Sequence, residues 1–421
     1  MKEPKIRFKG FKGEWENTPF SETFDSLKNN SLSRAELSDS GEVMNIHYGD
    51  VLIKYGECVD VIKEVETFVK DEEVAKKLHQ SCAIKNGDVI FADAAEDNTV
   101  GKCSEVIANE NDAIVSGLHT IACRPKKDFA PMYLGYYLNS NAYHDQLLPH
   151  IQGTKISSIS KKAISQTHIN SPLEKDEQQS IASYFQHLDS LIQLTTKKIE
   201  SLKQVKAASL QSMFPQEGET TPRVRFKGFE GEWSICPLKY FAKKSTEKNI
   251  SMDYTITLTN SAEYGVINQR DFFDHDISND DHINGYYVIH HDDFVYNPRV
   301  STAAPVGPIS RNRLGYSGVM SPLYLIFRVN GINKDFLSYY FKTTLWHNYM
   351  KLEGNTGARF DRLAISDEQF FNMPIYYPKD EEEQTAIASY FTNLDRQITL
   401  HTQRLEKLKQ IKSACLDNMF V

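Results

Sequence analysis

Two short segments of the chain pair glycine with a cation, Gln152-Gly153-Thr154-Lys155 and Asn355-Thr356-Gly357-Ala358-Arg359. Glycine lets a backbone approach a phosphate closely, and the adjacent Lys155 or Arg359 can neutralise it. A second group, Tyr296-Asn297-Pro298-Arg299-Val300-Ser301, stands with Arg311, Arg313 and Arg362 in the same half of the chain. It mixes amide, hydroxyl and guanidinium groups; arginine can grip guanine and asparagine adenine in a bidentate fashion from the major groove. The first half offers Asp93, Asn98, Lys102 and the segment Asn45-Ile46-His47-Tyr48 for the same purpose. The candidate contacts to nucleic acid are therefore Thr154, Lys155, Arg359, Arg362, Tyr296, Asn297, Arg299, Ser301, Arg311, Arg313, Asn98, Lys102, Asn45 and Tyr48.

Covalent chemistry finds less support. No GxxxxGK(S/T) phosphate loop, HExxH metal motif or GxSxG serine elbow occurs. Asn297-Pro298-Arg299 is the nearest approach to the motif of an amino-methyltransferase, but it lacks the second proline and the aromatic that hold a flipped base. The run Asp380-Glu381-Glu382-Glu383 reads as the charged start of a helix, where carboxylates favour the dipole. The six cysteines form no CxxC pair and have no histidine cluster at zinc-ligand spacing, as expected of scattered reduced thiols. No metal or catalytic residue is assigned.

The elements that must carry these residues are visible because the chain is written twice. Residues 7–15 read Arg-Phe-Lys-Gly-Phe-Lys-Gly-Glu-Trp, and residues 225–233 repeat them with one change. Glu177–Phe214 aligns without gaps to Glu383–Phe420, sharing Ile-Ala-Ser-Tyr-Phe, Leu-Asp, Leu-Lys-Gln and Met-Phe. Between these blocks only a skeleton persists, such as Asp88-Val89-Ile90-Phe91 against Asp293-Phe294-Val295-Tyr296 and Leu118-His119 against Leu323-Tyr324. One scaffold thus carries two different surfaces, the expected design of a reader of two unlike things.

The repeated C-terminal blocks predict helices. Leu188, Ile192, Thr195, Ile199, Leu202, Val205, Ser209 and Met213 fall at steps of three and four, and so do Leu394, Ile398, His401, Leu405, Leu408, Ile411, Cys415 and Met419. The equal seams predict that the two helices pair, antiparallel, with each other. From Leu188 to Phe214 such a helix runs on the order of 40 Å at about 1.5 Å per residue. The intervening sequence predicts short strands at 87–91 and 321–327, tyrosine-rich helices at 132–141 and 334–343, and an α+β class.

The expected organisation is a first recognition domain at 1–172, a helical spacer at 173–214, a linker at 215–222, a second recognition domain at 223–378 and a second spacer at 379–421. With 40% hydrophobic and 25% charged residues the composition is that of a globular protein. No apolar run approaches the roughly 18–20 residues that span a bilayer, and no leader-like apolar stretch follows Met1, so a cytoplasmic location is expected. The net charge of −8 implies that the chain does not grip DNA by charge all round.

The doubled RFKGF-x-GEW blocks and the doubled Glu-Gln…Ile-Ala-Ser-Tyr-Phe…Leu-Asp helices carry a resemblance over essentially the whole chain. Asp293-Phe294-Val295-Tyr296…Gly307-Pro308-Ile309-Ser310…Ser321-Pro322-Leu323-Tyr324 adds to it. The chain resembles the DNA-specificity subunits of type I restriction–modification systems. That resemblance implies two target-recognition domains alternating with two helices in an antiparallel coiled coil, each domain reading one part of a bipartite, asymmetric site in double-stranded DNA. It implies no catalysis and no cofactor on this chain. S-adenosylmethionine, ATP and Mg would belong to two methyltransferase subunits that modify adenine and to restriction/translocase subunits. The glycine-cation segments match a recurrent element of that family beside the DNA, although Ala358 lacks the hydroxyl of Thr154. Ile192, Ile199, Leu202, Ile398, Leu405 and Leu408 would form the helical seam. A stand-alone DNA-binding regulator, or a DNA methyltransferase or nuclease with a disguised site, remains the alternative.

Overall fold

In the computed structural model the described residues are 3–153, 155–272, 280–355 and 361–421. The chain divides into two units: residues 1–196 with 403–421, and residues 197–402. Both boundaries fall inside long helices, Lys175–Ser212 and Glu381–Asn418, of 38 residues each. Each unit therefore holds the first turns of one long helix and the last turns of the other.

The sheets of both units are built round a central strand whose residues are buried on both faces. In unit 1 this is Val89–Ala92, in unit 2 Phe294–Tyr296. Unbroken apolar runs suit such a position because neither side chain direction meets water. In unit 1 the strand order is Phe24–Ser26, Thr120–Pro125, Val89–Ala92, Cys103–Ile107 and Cys58–Asp60, the last pair being parallel. In unit 2 it is Ala242–Ser245, Leu325–Val329, Phe294–Tyr296 and Ile309–Arg311, all antiparallel. Four strands thus follow one order in both units. Unit 1 adds a second sheet containing Met44–Ile46 and Ile114–Ser116, whereas unit 2 has two separate two-stranded ladders in its variable part.

The repeated sequence blocks close each unit. The strand after the tryptophan pairs with the strand before the long helix, Glu16 opposite Ser171 and Ser234 opposite Tyr377. Arg7 grips Glu177, at the start of its helix, through two bonds of 2.7 and 2.8 Å. It also donates to the carbonyl of Gly13 at 2.6 Å. Arg225 repeats the arrangement with Glu383 and Gly231. Gln178 accepts from the Ala130 N–H and donates to the Pro172 carbonyl; Gln384 does the same with Asn333 and Pro378. The paired Glu-Gln of the repeat is thereby explained as an anchor between helix root and sheet layer.

The last turns of each helix complete the core of the unit they enter. Phe420 lies edge-on to Trp15 and Tyr133 and stacks on Phe185 in unit 1; Phe214 meets Trp233, Phe336 and Phe391 in unit 2. Within each unit the two helical segments run antiparallel. In unit 1 Tyr184 faces Cys415, and Asp189 pairs with Lys412 at 2.6 Å. In unit 2 Tyr390 faces Ser209, and Asp395 pairs with Lys206. Tyr136 and Tyr339 donate to these same aspartates, so the tyrosine-rich helices Tyr133–Leu138 and Lys334–Tyr340 serve packing.

The expected seam needs one correction. Val205 is 43% exposed, and Lys206 takes the inward position beside Asp395. With 3.6 residues per turn, a step of four after Leu202 keeps the seam facing its partner where a step of three would swing it outward.

Removing Arg7 leaves the Glu177 carboxylate, only 2% exposed, without its cation. Arg7→Ala should destabilise unit 1 by about 3–5 kcal/mol, the usual cost of breaking a buried pair from one side. Replacing both partners, Arg7→Met with Glu177→Leu, should recover most of it. Urea midpoints of the three proteins check this.

Candidate nucleic-acid interface

The described starts of the two glycine-cation segments, Gln152 and Asn355, sit at one place in the fold. In unit 1 a short ladder, Ala94–Ala95 against Ser157–Ser158, prolongs the central strand. Gln152 and Ser158 then close a hairpin through reciprocal backbone bonds of 3.0 and 2.7 Å. Gly153 enters it at φ 108°, and a Cβ there would collide with the Ile156 carbonyl. Lys155 is held exposed at the tip. In unit 2 Arg299 bridges Arg362, and Asn355 and Ala364 exchange backbone bonds of 2.8 Å, so the same hairpin base recurs beyond the central strand. Thr154, Arg359 and the intervening Gly357 and Ala358 lie outside the described residues.

Beside this hairpin base the two units differ in chemistry. Unit 1 presents His119, whose Nδ1 lies 3.1 Å from the Asp93 carboxylate and whose ring meets Tyr48 edge-on. His119 holds φ 54°, a left-handed conformation costly for a residue with a Cβ. His47 stacks obliquely on Tyr48 and accepts the Gly49 N–H; burial lowers its pKa, which keeps that ring neutral. The spacing of Asp93 and His119 along the chain carries no signal that they meet, and only the turn before strand Thr120–Pro125 brings them together.

Unit 2 presents a cavity of about 470 Å³. Asn260, Ser261, Asn297, Arg299, Ser301 and Arg362 are among its walls. Gly307, at φ 82°, allows its rim to close, since a Cβ there would strike the Asn297 carbonyl. Asn260 is 2% exposed and spends its amide hydrogens on the carbonyls of Val295 and Pro308, each at 3.0 Å. Its Oδ1 has no partner among the described residues.

Several candidates turn out to be used inside their units. Asn45 is fully buried and accepts from Asn30 at 2.8 Å. Lys102 donates to the carbonyls of Leu52 and Tyr55, and burial lowers its pKa. Tyr296 is buried, with its hydroxyl donated to Val306. Asn297 donates to the Asn260 carbonyl and accepts the Arg299 N–H, forming a turn. Arg311 is held by Asp292 and Asp335, and Arg313 by Asp335 over the Tyr339 ring. These groups shape the surface, and apart from Asn45 Nδ2, which is buried without a partner among the described residues, the polar atoms named are already committed. Asn98, Lys155, Arg299 and Ser301 are exposed and Tyr48 half-buried, while Arg362 reaches only a distant carboxylate, Asp361 at 4.0 Å.

Buried ionisable groups elsewhere serve structure. Glu105 accepts the N–H groups of Met132 and Gly135 at 2.6 and 2.8 Å and so fixes the start of the tyrosine helix. Burial pushes its carboxyl up to about 7, against the pull of those N–H groups. A raised carboxyl pKa means that the folded state keeps a proton the unfolded chain loses at 4.5. Stability should therefore fall as pH rises from about 4.5 to about 7 and level off above, by up to about 1.4 kcal/mol per pH unit. Urea titrations across that range should show this slope in the wild type and its loss in Glu105→Gln. No group of three or more His, Cys, Asp or Glu able to hold a metal occurs among the described residues, and no described helix is long and apolar enough to cross a membrane.

A doubled α+β frame, with unlike polar groups at one repeated place, defines a two-part reading module. Comparison with known proteins agrees. The family model described as "Type I restriction modification DNA specificity domain" matches residues 12–204 and 232–410, and the chain belongs to that family. A protein of Methanocaldococcus jannaschii, described as "Putative type I restriction enzyme MjaX specificity subunit", is 22% identical over 380 residues, covering 83% of this chain and 80% of its own. The fold is similar to that of the S subunit of a type I restriction-modification system from M. genitalium, with a TM-score of 0.58 at 12% identity over 100% of this chain and 99% of that one. A chain from a solved type I R-M system gives 0.52 at 14% identity, covering 96% and 97%.

Proposed function

We propose that this chain is the non-catalytic DNA-reading subunit of a type I restriction–modification complex. Each unit reads one half of a bipartite, asymmetric site, and the long helices set the spacer between the halves. The observation that carries this reading is the hairpin base repeated beyond both central strands, beside which His119 and Asp93 stand in unit 1 and Arg299 and Arg362 in unit 2. A shared frame with unlike groups at one place would let each unit meet its half of the duplex differently. Adenine methylation and cleavage would fall to partners, namely two methyltransferase subunits using S-adenosylmethionine and restriction/translocase subunits using ATP and Mg, all acting with the DNA in the cytoplasm.

A spacer role has a direct test. Four residues, about one helical turn, inserted in each long helix should change the number of base pairs between the modified half-sites. The half-site sequences themselves should stay as they were. Sequencing of modified adenines in cells carrying either version reads both quantities, and altered half-sites with an unchanged spacing would refute the division of labour.

The helices also supply a surface for a partner used twice. Leu194 and Leu400 occupy equivalent repeat positions and are 63% and 53% exposed. Exposed leucines retained at both places, while neighbours such as Leu191 and Gln397 differ, fit two copies of one methyltransferase subunit. Leu194→Glu and Leu400→Glu should each reduce the methyltransferase retained by the purified chain, and the double variant should retain least. Native purification without any methyltransferase would favour the stand-alone regulator instead.

A further inference from the structure

Arg299 and Arg362 are directly opposed partners of an isolated antiparallel bridge in unit 2. Directly opposed residues project to the same face of a ladder, and like charges so placed destabilise it. Neither arginine is neutralised nearby: Arg299 is exposed without a carboxylate partner among the described residues, and Arg362 has only Asp361 at 4.0 Å. Both line the 470 Å³ cavity, whose described lining includes no aspartate or glutamate. In a chain of net charge −8, a pair of guanidinium groups with a single described carboxylate contact, at 4.0 Å, marks a seat for an anion.

Resting on the DNA-reading function proposed above, we infer that this cavity seats a backbone phosphate of the DNA and does not read a base. The shape decides between the two. A recess admits what protrudes from a duplex, which is the sugar–phosphate ridge. Base edges lie at the floor of a groove about 8.5 Å deep and are reached by projecting side chains. The two guanidinium groups supply the charge, and the Ser261 and Ser301 hydroxyls at the rim can add donors. Asn260 is also in the wall, but its unpartnered Oδ1 can only accept, so it adds nothing to the holding of an anion. In unit 1 the equivalent ladder positions are Ala94 and Ser158, so the seat belongs to unit 2 alone.

A phosphate contact positions without specifying, and it is recognised by its salt dependence. The full chain, assembled with its modification subunits, would be titrated with its target duplex and with duplexes of arbitrary sequence over a range of salt. Arg299→Ala and Arg362→Ala should each lower the slope of log affinity against log salt by about 1, and weaken binding alike for all sequences. Arg299→Lys and Arg362→Lys should keep the wild-type slope, because a phosphate accepts a point charge where a bidentate base contact does not. An unchanged slope in the double alanine variant overturns the seat. So does a loss confined to one base position that lysine fails to rescue, which would make these residues base readers. A wild-type complex that binds neither duplex overturns the DNA-reading function itself.

Discussion

The two Arg–Glu forks, Arg7 with Glu177 and Arg225 with Glu383, are the interaction on which the rest of the structure depends. Each fork joins an N-terminal loop to the root of a long helix, and its arginine also holds the loop's own turn through a glycine carbonyl. With the loop so fixed, the tryptophan that follows is presented to the phenylalanine at the last turn of the other helix. Each unit is thus completed by a segment distant in sequence, and neither core closes from one half of the repeat alone.

The same economy separates frame from surface. The forks, the Glu-Gln anchors, the Tyr–Asp–Lys clusters and the terminal phenylalanines recur in kind, so the central strand and its hairpin are delivered to the same place twice. The exposed groups that stand there are free to differ because they lie outside the core clusters. Unit 1 places a His–Asp pair beside a tyrosine, and unit 2 an arginine pair over a polar recess. How each unit would meet DNA can change by altering a few exposed groups while the scaffold that carries them stays as it is.

Charged residues in the candidate list show how far a sequence reading reaches. Arg311 and Arg299 are the same residue type twelve positions apart, and composition treats them alike. In the fold Arg311 lies between Asp292 and Asp335, whereas Arg299 faces a recess whose described lining holds no acid. Lys102 looked like a surface cation but has two backbone carbonyls to satisfy. In the sequence His119 is only part of the shared skeleton, because the partner that gives it a role, Asp93, lies between two other strands. The periodic seam was legible because helical spacing is a local property, and even there the inward turn of Lys206 depended on Asp395.

By itself the sequence determined the doubling, the two long helices, the α+β class and the glycine-cation segments, since each is a matter of repetition or of short-range spacing. Family membership was also within its reach, because the repeated blocks are long and nearly identical. Only the tertiary structure decided which polar groups are spent inside and which stand free. That outcome depends on pairings between strands and helices far apart in the chain, and a buried donor or acceptor must find whichever partner the fold brings to it.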